Sequence, residues 1–419
     1  MTLDVTAVRS HFPALQQPAI FLDNPGGTQI ARQSLERIQA YLVKTNANHG
    51  GEFATSRASD ATIDAARAAM ADFLNAPRPE EIVFGPNMTS LTFNLSRALA
   101  LTFQPGDLLV VTHLDHDANI SPWLRVAEDR GCRVRWVDFN PQTGMLDLDD
   151  FQSALKEGPK LVAFGYASNA LGTINPVYEM TSLAKEAGSL VYIDAVQYAA
   201  HGPMDVQRIG CDFLVCSAYK FFGPHVGVLF GRYDLLERLP AYRVRPAPAN
   251  PPGKFETGTG NFEGYAGVLG ALEYFEWLGQ NYGKDFLELY AGEYTGRRLI
   301  FKQAMAAVRA YETELSRAIL EGLSQISGVH IYGPATPDQV DHRVPTVSFT
   351  MDGYSPQEIA RRLDQRGIFV WNGNFYALAV TTRLGLEDKG GLLRVGATHY
   401  NSLDEIAQLI TALEQMASK

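Results

Sequence analysis

The chain has 419 residues, 46% of them hydrophobic and 20% charged, a composition that buries a large core and at this length predicts two domains. A formal charge of −10 argues against non-specific binding to nucleic acid or to an anionic membrane surface. No apolar run approaches the ~18 residues that a membrane span requires, and Met1-Thr2-Leu3-Asp4 is not a basic stretch followed by an apolar core, so the expected location is the cytoplasm.

In chain order, Ala19-Ile20-Phe21-Leu22 enters Asp23-Asn24-Pro25-Gly26-Gly27, a short strand running into a turn. Helical periodicity follows over 29–45 and again over 61–74. Between them 46–57 is polar and contains glycine, a loop from which His49 or Arg57 could line a site. A strand at 81–84 turns through Gly85-Pro86-Asn87 into Met88-Thr89-Ser90, where a helix begins. Such a junction presents unpaired backbone donors and hydroxyls where a phosphate can bind, although the same residues also serve as plain helix caps.

The strand at 108–113 runs into Leu114-Asp115-His116-Asp117. A histidine there, His113 or His116, lies on the rim where open α/β sheets bind ligands, and its flat ring can stack on a flat cofactor. A strand at 133–139, a helix at 148–155 and a strand at 160–166 lead to Ser168-Asn169. Two further apolar runs, 190–193 and 213–216, end in Asp194 and in Ser217-Ala218-Tyr219-Lys220, and read as buried parallel strands. The alternation across 80–230 implies one mostly parallel sheet with right-handed crossovers.

A carboxylate and a lysine delivered to one rim suit a pyridoxal phosphate (PLP) site, in which lysine forms the Schiff base and the acid holds the pyridinium proton. A structural ion pair capping two core strands is the alternative. The convergence of Thr89, His116, Asn169, Asp194 with Gln197, and Lys220 with Ser217 on the same rim favours the cofactor. Cys132, Cys211 and Cys216 lie on or beside strands without metal-ligand spacing, so neither a disulfide nor a metal site is expected.

Residues 241–254 are proline-rich, a surface excursion near the site mouth or a subunit interface. Helical patterns at 262–279 and 296–323 lead to strands near 329–332 and 344–350, and helix 355–366, strands at 368–371 and 392–395 and helix 403–416 complete a smaller α+β domain. The expected division is an N-terminal segment, 1–30, packing near the small domain and the site, a large PLP-binding domain, 31–290, and a small domain, 291–419.

Six stretches in order resemble the class V aminotransferase family, in its cysteine desulfurase and selenocysteine lyase branch. They are Asp115-His116-Asp117-Ala118-Asn119, Ser168-Asn169-Ala170-Leu171-Gly172-Thr173, Asp194-Ala195-Val196-Gln197, Ser217-Ala218-Tyr219-Lys220, Phe255-Glu256-Thr257-Gly258-Thr259-Gly260-Asn261 and Arg394-Val395-Gly396-Ala397-Thr398-His399-Tyr400-Asn401. The resemblance implies the PLP-dependent transferase fold of type I, a homodimer with shared active sites and an amino-acid substrate. It implies Lys220 as the Schiff-base lysine and α-proton base, Asp194 on the pyridine nitrogen, and His116 stacked on the ring. Asn169 and Gln197 would bond the ring oxygen. Met88, Thr89, Ser217 and Tyr219 would lie at the cofactor phosphate with the partner subunit's Thr259, and Arg394 would grip the substrate carboxylate beside Asn24 and Tyr376.

Two departures stand out. Tyr219 replaces the histidine that usually precedes the lysine. In Trp371-Asn372-Gly373-Asn374-Phe375-Tyr376-Ala377, Tyr376 stands where desulfurases of the group carry the sulfur-accepting cysteine, and no cysteine follows Cys216. A phenol cannot carry a persulfide, so β-elimination from a sulfur- or selenium-bearing amino acid is expected, with transamination, epimerisation or non-catalytic PLP binding as alternatives. The aromatic loop suits a larger or less polar substrate, or core packing.

Overall fold

A computed structural model describes residues 3–418. After β1 (Ile20–Phe21), the chain builds a seven-stranded sheet from β2 (Ile82–Gly85), β3 (Leu108–Thr112), β4 (Arg133–Val137), β5 (Leu161–Gly165), β6 (Leu190–Asp194), β7 (Phe213–Ser217) and β8 (Gly227–Gly231), in spatial order β2-β8-β7-β6-β5-β3-β4. From β4 to β7 neighbouring strands are parallel; β8 is antiparallel to both β7 and β2. Alternate residues feed two cores on opposite faces, Val110, Val162 and Leu214 into one and Leu109, Val111, Leu161 and Phe213 into the other. Burial on both faces explains why these strands read as continuous apolar runs.

The helix Met88–Ala100 starts where Asn87 Oδ1 accepts the Ser90 N–H at 2.9 Å. Helices Arg32–Lys44 and Ala54–Leu74 pack against Phe262–Tyr282, and the bare Gly270 lets the Gln33 backbone approach. The second of these helices begins at Ala54, not 61. Its serines close the preceding loop: Ser56 Oγ accepts from Gly51 N at 2.7 Å and donates to Asn48 O at 2.6 Å, while Ser59 Oγ donates to Ala47 O at 2.7 Å. Arg57 is therefore helical, and its side chain donates to Glu52 O at 2.8 Å.

The smaller sheet comprises β9 (Val329–Tyr332), β10 (Thr346–Met351), β12 (Trp371–Gly373) and β13 (Leu392–Gly396), all antiparallel, in order β12-β13-β10-β9; between them in sequence, β11 (Ile368–Phe369) pairs in parallel with β1. The N-terminal segment is thus stitched to the small sheet, Gly396 N donating to Leu22 O at 2.7 Å. Among the described residues no helix is long and apolar enough to cross a membrane.

The 29-residue helix Gly296–Ser324 extends ~43 Å at 1.5 Å per residue and packs against both Phe262–Tyr282 and Leu403–Ala417. At its middle, buried Glu312 pairs with His201 Nδ1 at 2.7 Å and accepts the His399 N–H at 3.0 Å; His399 Nε2 meets Tyr274 OH at 2.6 Å. Burial pushes the Glu312 carboxyl up, but His201 and His399 outweigh it and hold the group below its usual range. Glu312→Ala would strand these buried partners and is expected to destabilise the protein by ~3–5 kcal/mol, read as a lower guanidinium midpoint; an unchanged midpoint would refute this role.

Candidate active site

The carboxyl ends of the parallel strands face the small sheet across a cleft of about 2130 Å³. Its inner end narrows into a recess whose wall includes Thr89, His116, Asn169, Asp194, Gln197 and Lys220. Asp194, the last residue of β6, is buried, and its Oδ1 accepts the Val196 N–H at 2.9 Å. Burial pushes its carboxyl up to about 6, against the pull of that hydrogen bond and of Lys220. Lys220 ends the tight turn that follows β7, one strand over. Its Nζ donates to Pro25 O and lies 5.3 Å from the centre of the Tyr219 ring. Burial, helped by Arg394 and opposed by Asp194 and Asp23, lowers the ammonium to about 7. Near neutrality a large share of Lys220 is therefore the neutral amine, the form that attacks a carbonyl.

Of the two histidines raised by the sequence, only His116 faces the recess; His113 turns away and stacks on Trp136 at 4.7 Å. Burial, with Lys220 and Arg394, lowers His116 to about 4. Its Nδ1 accepts the Ala118 N–H at 3.0 Å, so the neutral ring carries its proton on Nε2. Ser217 Oγ accepts the Met88 N–H at 3.0 Å and so ties β7 to the helix start. Met88, Thr89 and Tyr219 line the recess, and Tyr219 stacks on His225 at 5.0 Å.

Arg394 comes from β13 in the small sheet and is buried. Its Nη1 donates to Asn169 O at 2.8 Å, the Phe375 ring lies 4.2 Å from its Cζ, and its buried Nε has no partner. Burial lowers its pKa, yet a guanidinium remains charged at neutral pH. A buried cation bonded to a carbonyl rather than a carboxylate is costly, and a ligand carboxylate would relieve it.

The loop carrying Phe375 and Tyr376 is strained: both are non-glycine residues in the left-handed region, at φ 57° and 58°. Each costs on the order of 1–2 kcal/mol there. Hydrogen bonds across the cleft hold them: Asn169 Nδ2 donates to Phe375 O at 2.8 Å and Asp117 N to Tyr376 O at 2.7 Å. Tyr376 stays 75% exposed, with its ring stacked on His116 at 5.6 Å.

Several expected roles change. Asn24 was expected at the substrate, but it is buried with its amide committed. Its Nδ2 donates to Gly396 O at 2.7 Å and Phe21 O at 2.9 Å, and its Oδ1 accepts from Tyr400 OH. Thr259, expected to reach a partner subunit's cofactor and not its own, lies on an exposed loop lining the outer cleft. Neither His49 nor Arg57 lines cleft or recess. Asp115, which sequence reasoning left without a role, does line the recess: Thr112 Oγ1 and Asn119 Nδ2 bond its carboxylate, and burial, with Asp194 adding repulsion, raises it to about 7. The available signal was an acid placed just past a strand end, as Asp194 is.

The family model described as Aminotransferase class-V matches residues 20–297 and 292–409. The chain belongs to the class V aminotransferase family. Within it, the similarity is to the cysteine desulfurase-like branch. The cysteine desulfurase of Serratia proteamaculans (strain 568) is 30% identical over 99% of both chains. The aminotransferase-like protein FGM3 of Gibberella zeae is 34% identical, again over 99% of both. Among solved structures, the apo cysteine desulfurase of Thermococcus onnurineus NA1 superimposes with a TM-score of 0.88 at 27% identity, covering 100% of each chain. The cysteine desulfurase CsdA of Escherichia coli gives 0.82 at 26%, covering 99% of this chain and 98% of its own. The fold is therefore the type I fold of PLP enzymes, and PLP is the family's cofactor.

The recess fits that group. It offers an amine, a buried acid and a flat ring, and on its wall the buried Asn169 Oδ1 and Gln197 Oε1 have no partner in the protein. Unsatisfied buried polar atoms mark where a ligand's polar edge belongs. The recess also depends on Gly165 of β5, because a Cβ there would stand 2.9 Å from Asp115 Oδ1. Gly165→Ala is expected to lower stability by ~1–3 kcal/mol and the melting temperature with it; a variant melting with the wild type would show that the contact yields freely.

Proposed function

We propose that the chain is a PLP-dependent lyase that eliminates a sulfur- or selenium-borne β-substituent from an amino acid. The observation that carries this reading is that Lys220, Asp194 and Arg394 share one cleft on which no cysteine lies. Cys211 and Cys216 are buried in the core, where burial pushes their thiols up, and the half-buried Cys132 is raised for the same reason. None is poised as a thiolate to take up sulfur.

When bound, PLP supplies an electron sink for a carbanion at the amino acid's Cα. Arg394 binds the substrate carboxylate through the guanidinium edge that the protein leaves free, since its fork suits a carboxylate. Lys220 takes the α-proton. Asp194 would hold a proton at the cofactor's ring nitrogen, and the unpartnered Asn169 Oδ1 and Gln197 Oε1, both acceptors, would receive proton-bearing groups of the bound ligand such as a ring hydroxyl. Thr89 and Tyr219 would orient the phosphate, while Ser217, buried behind the recess, holds the helix start in place by accepting the Met88 N–H. His116, neutral with its N–H on Nε2, would donate a hydrogen bond to the departing sulfur as the Cβ–S bond breaks with its electron pair on sulfur, and the proton that completes the thiol comes from the Lys220 ammonium formed when it takes the α-proton. The balance is one thioether amino acid and one water giving thiol, pyruvate and ammonium. A homodimer, in which the partner subunit's Thr259 completes the phosphate site, belongs to the same reading; the exposure of loop 257–260 supports it.

Transamination is the second reading, supported by the aminotransferase-like relative and by the same base and clamp. Release of pyruvate without a keto-acid co-substrate separates the two. Borohydride reduction of PLP-loaded protein should label Lys220, and Lys220→Ala should lose both the label and ~10²–10⁴-fold in turnover; label retained in the variant would sink the assignment. Because the amine is lowered to about 7, covalent uptake of PLP by the apoprotein should quicken from pH 6 to pH 8 as Lys220 loses its proton. An uptake rate rising only above pH 9 would mean an ordinary lysine. Incubation with cysteine should leave no protein-bound persulfide.

A further inference from the structure

We propose that Trp371, backed by Phe375 and Tyr376, forms the wall that receives the substrate's side chain, and that it selects amino acids whose β-substituent is flat, aromatic and uncharged. The proposal rests on the reading of Arg394 as the carboxylate clamp.

Trp371 pairs directly with Arg394 across β12 and β13, so their side chains stand on the same face of the small sheet as immediate neighbours. Its indole rests on Gly26, where a Cβ would collide with the indole nitrogen. Gly26 follows Pro25, whose carbonyl receives Lys220 Nζ. The indole thus lies beside the two groups that hold an amino acid, and it is 51% exposed, lining the cleft. A buried tryptophan would be core; an exposed one resting on a bare glycine next to a carboxylate clamp presents a binding face.

The rest of the wall is equally uncharged. Phe375 covers Arg394 and Tyr376 covers His116, both held in place by hydrogen bonds from the large domain. Among the charged side chains on the cleft, Asp117 accepts from Ser121 Oγ, Glu387 accepts from Asn374 Nδ2 at 3.0 Å and from Thr381 Oγ1, and Arg97 is exposed. A charged side chain seated against these three rings would lose hydration without gaining a polar partner from them, whereas a flat ring finds the faces of Trp371 and Tyr376.

The test uses PLP-loaded full-length protein with S-benzyl-, S-methyl- and S-carboxymethyl-L-cysteine, reading binding by calorimetry and by the cofactor's absorbance, and turnover by pyruvate. S-benzyl-L-cysteine is expected to bind ~10-fold or more tightly than the S-methyl compound, and S-carboxymethyl-L-cysteine more weakly than either. Trp371→Ala should bring the benzyl-to-methyl ratio towards one, and Trp371→Phe should largely restore it. A wild-type ratio of one or less, or a ratio untouched in Trp371→Ala, overturns the proposal whether or not pyruvate forms. A preference for benzyl without pyruvate supports the aromatic wall and overturns the lyase reading.

Discussion

A carboxylate and an ammonium withdrawn from water at the ends of adjacent parallel strands set the terms for the rest of this molecule. Because β6 and β7 pair in register, with Asp194 opposite Val215, the turn after β7 returns Lys220 to the recess that Asp194 closes. Burial disfavours both charges, raising the acid to about 6 and lowering the amine to about 7, so the two titrate close together. That state survives only in a sheet covered on both faces. The two cores on either side of β3, β5, β6 and β7 are therefore part of the chemistry as well as of the stability.

The second requirement is that the small sheet be held at a fixed distance from this rim. Arg394 belongs to β13, yet its Nη1 is bonded to Asn169 O after β5, and Asn169 also holds the Phe375 carbonyl. Arg394, its aromatic cover Phe375 and the recess wall thus form one closed circuit across the cleft. Behind it, the Glu312 cluster links His201 of the large domain to His399 beyond β13 through the long helix, and Asn24 pins the N-terminal segment to Gly396. Strain at Phe375 and Tyr376 persists because these long-range contacts over-determine the loop.

Asp115 adds a further constraint. It stands beside Asp194 behind His116, and the raised carboxyl means that two neighbouring acids share less than two negative charges near neutrality. With Asp194 raised to about 6 and Asp115 to about 7, Asp194 is the more fully ionised of the two near neutrality.

Reading the chain alone sufficed for most strands and for the rim with Lys220, Asp194 and His116, because such strands announce themselves by a local apolar run; it missed β8 and took 368–371 as one strand where β11 and β12 belong to different sheets. The helix at Ala54 escaped because its serines look like loop and are helical only through bonds to the loop they close. The commitment of Asn24 to Gly396 and the seat of Phe375 on Arg394 were likewise illegible. Each is settled by a partner far away in sequence, 372 residues away for Asn24. Local pattern determines which residues reach the rim; packing between distant segments decides which way they face and which of them remain free for a ligand.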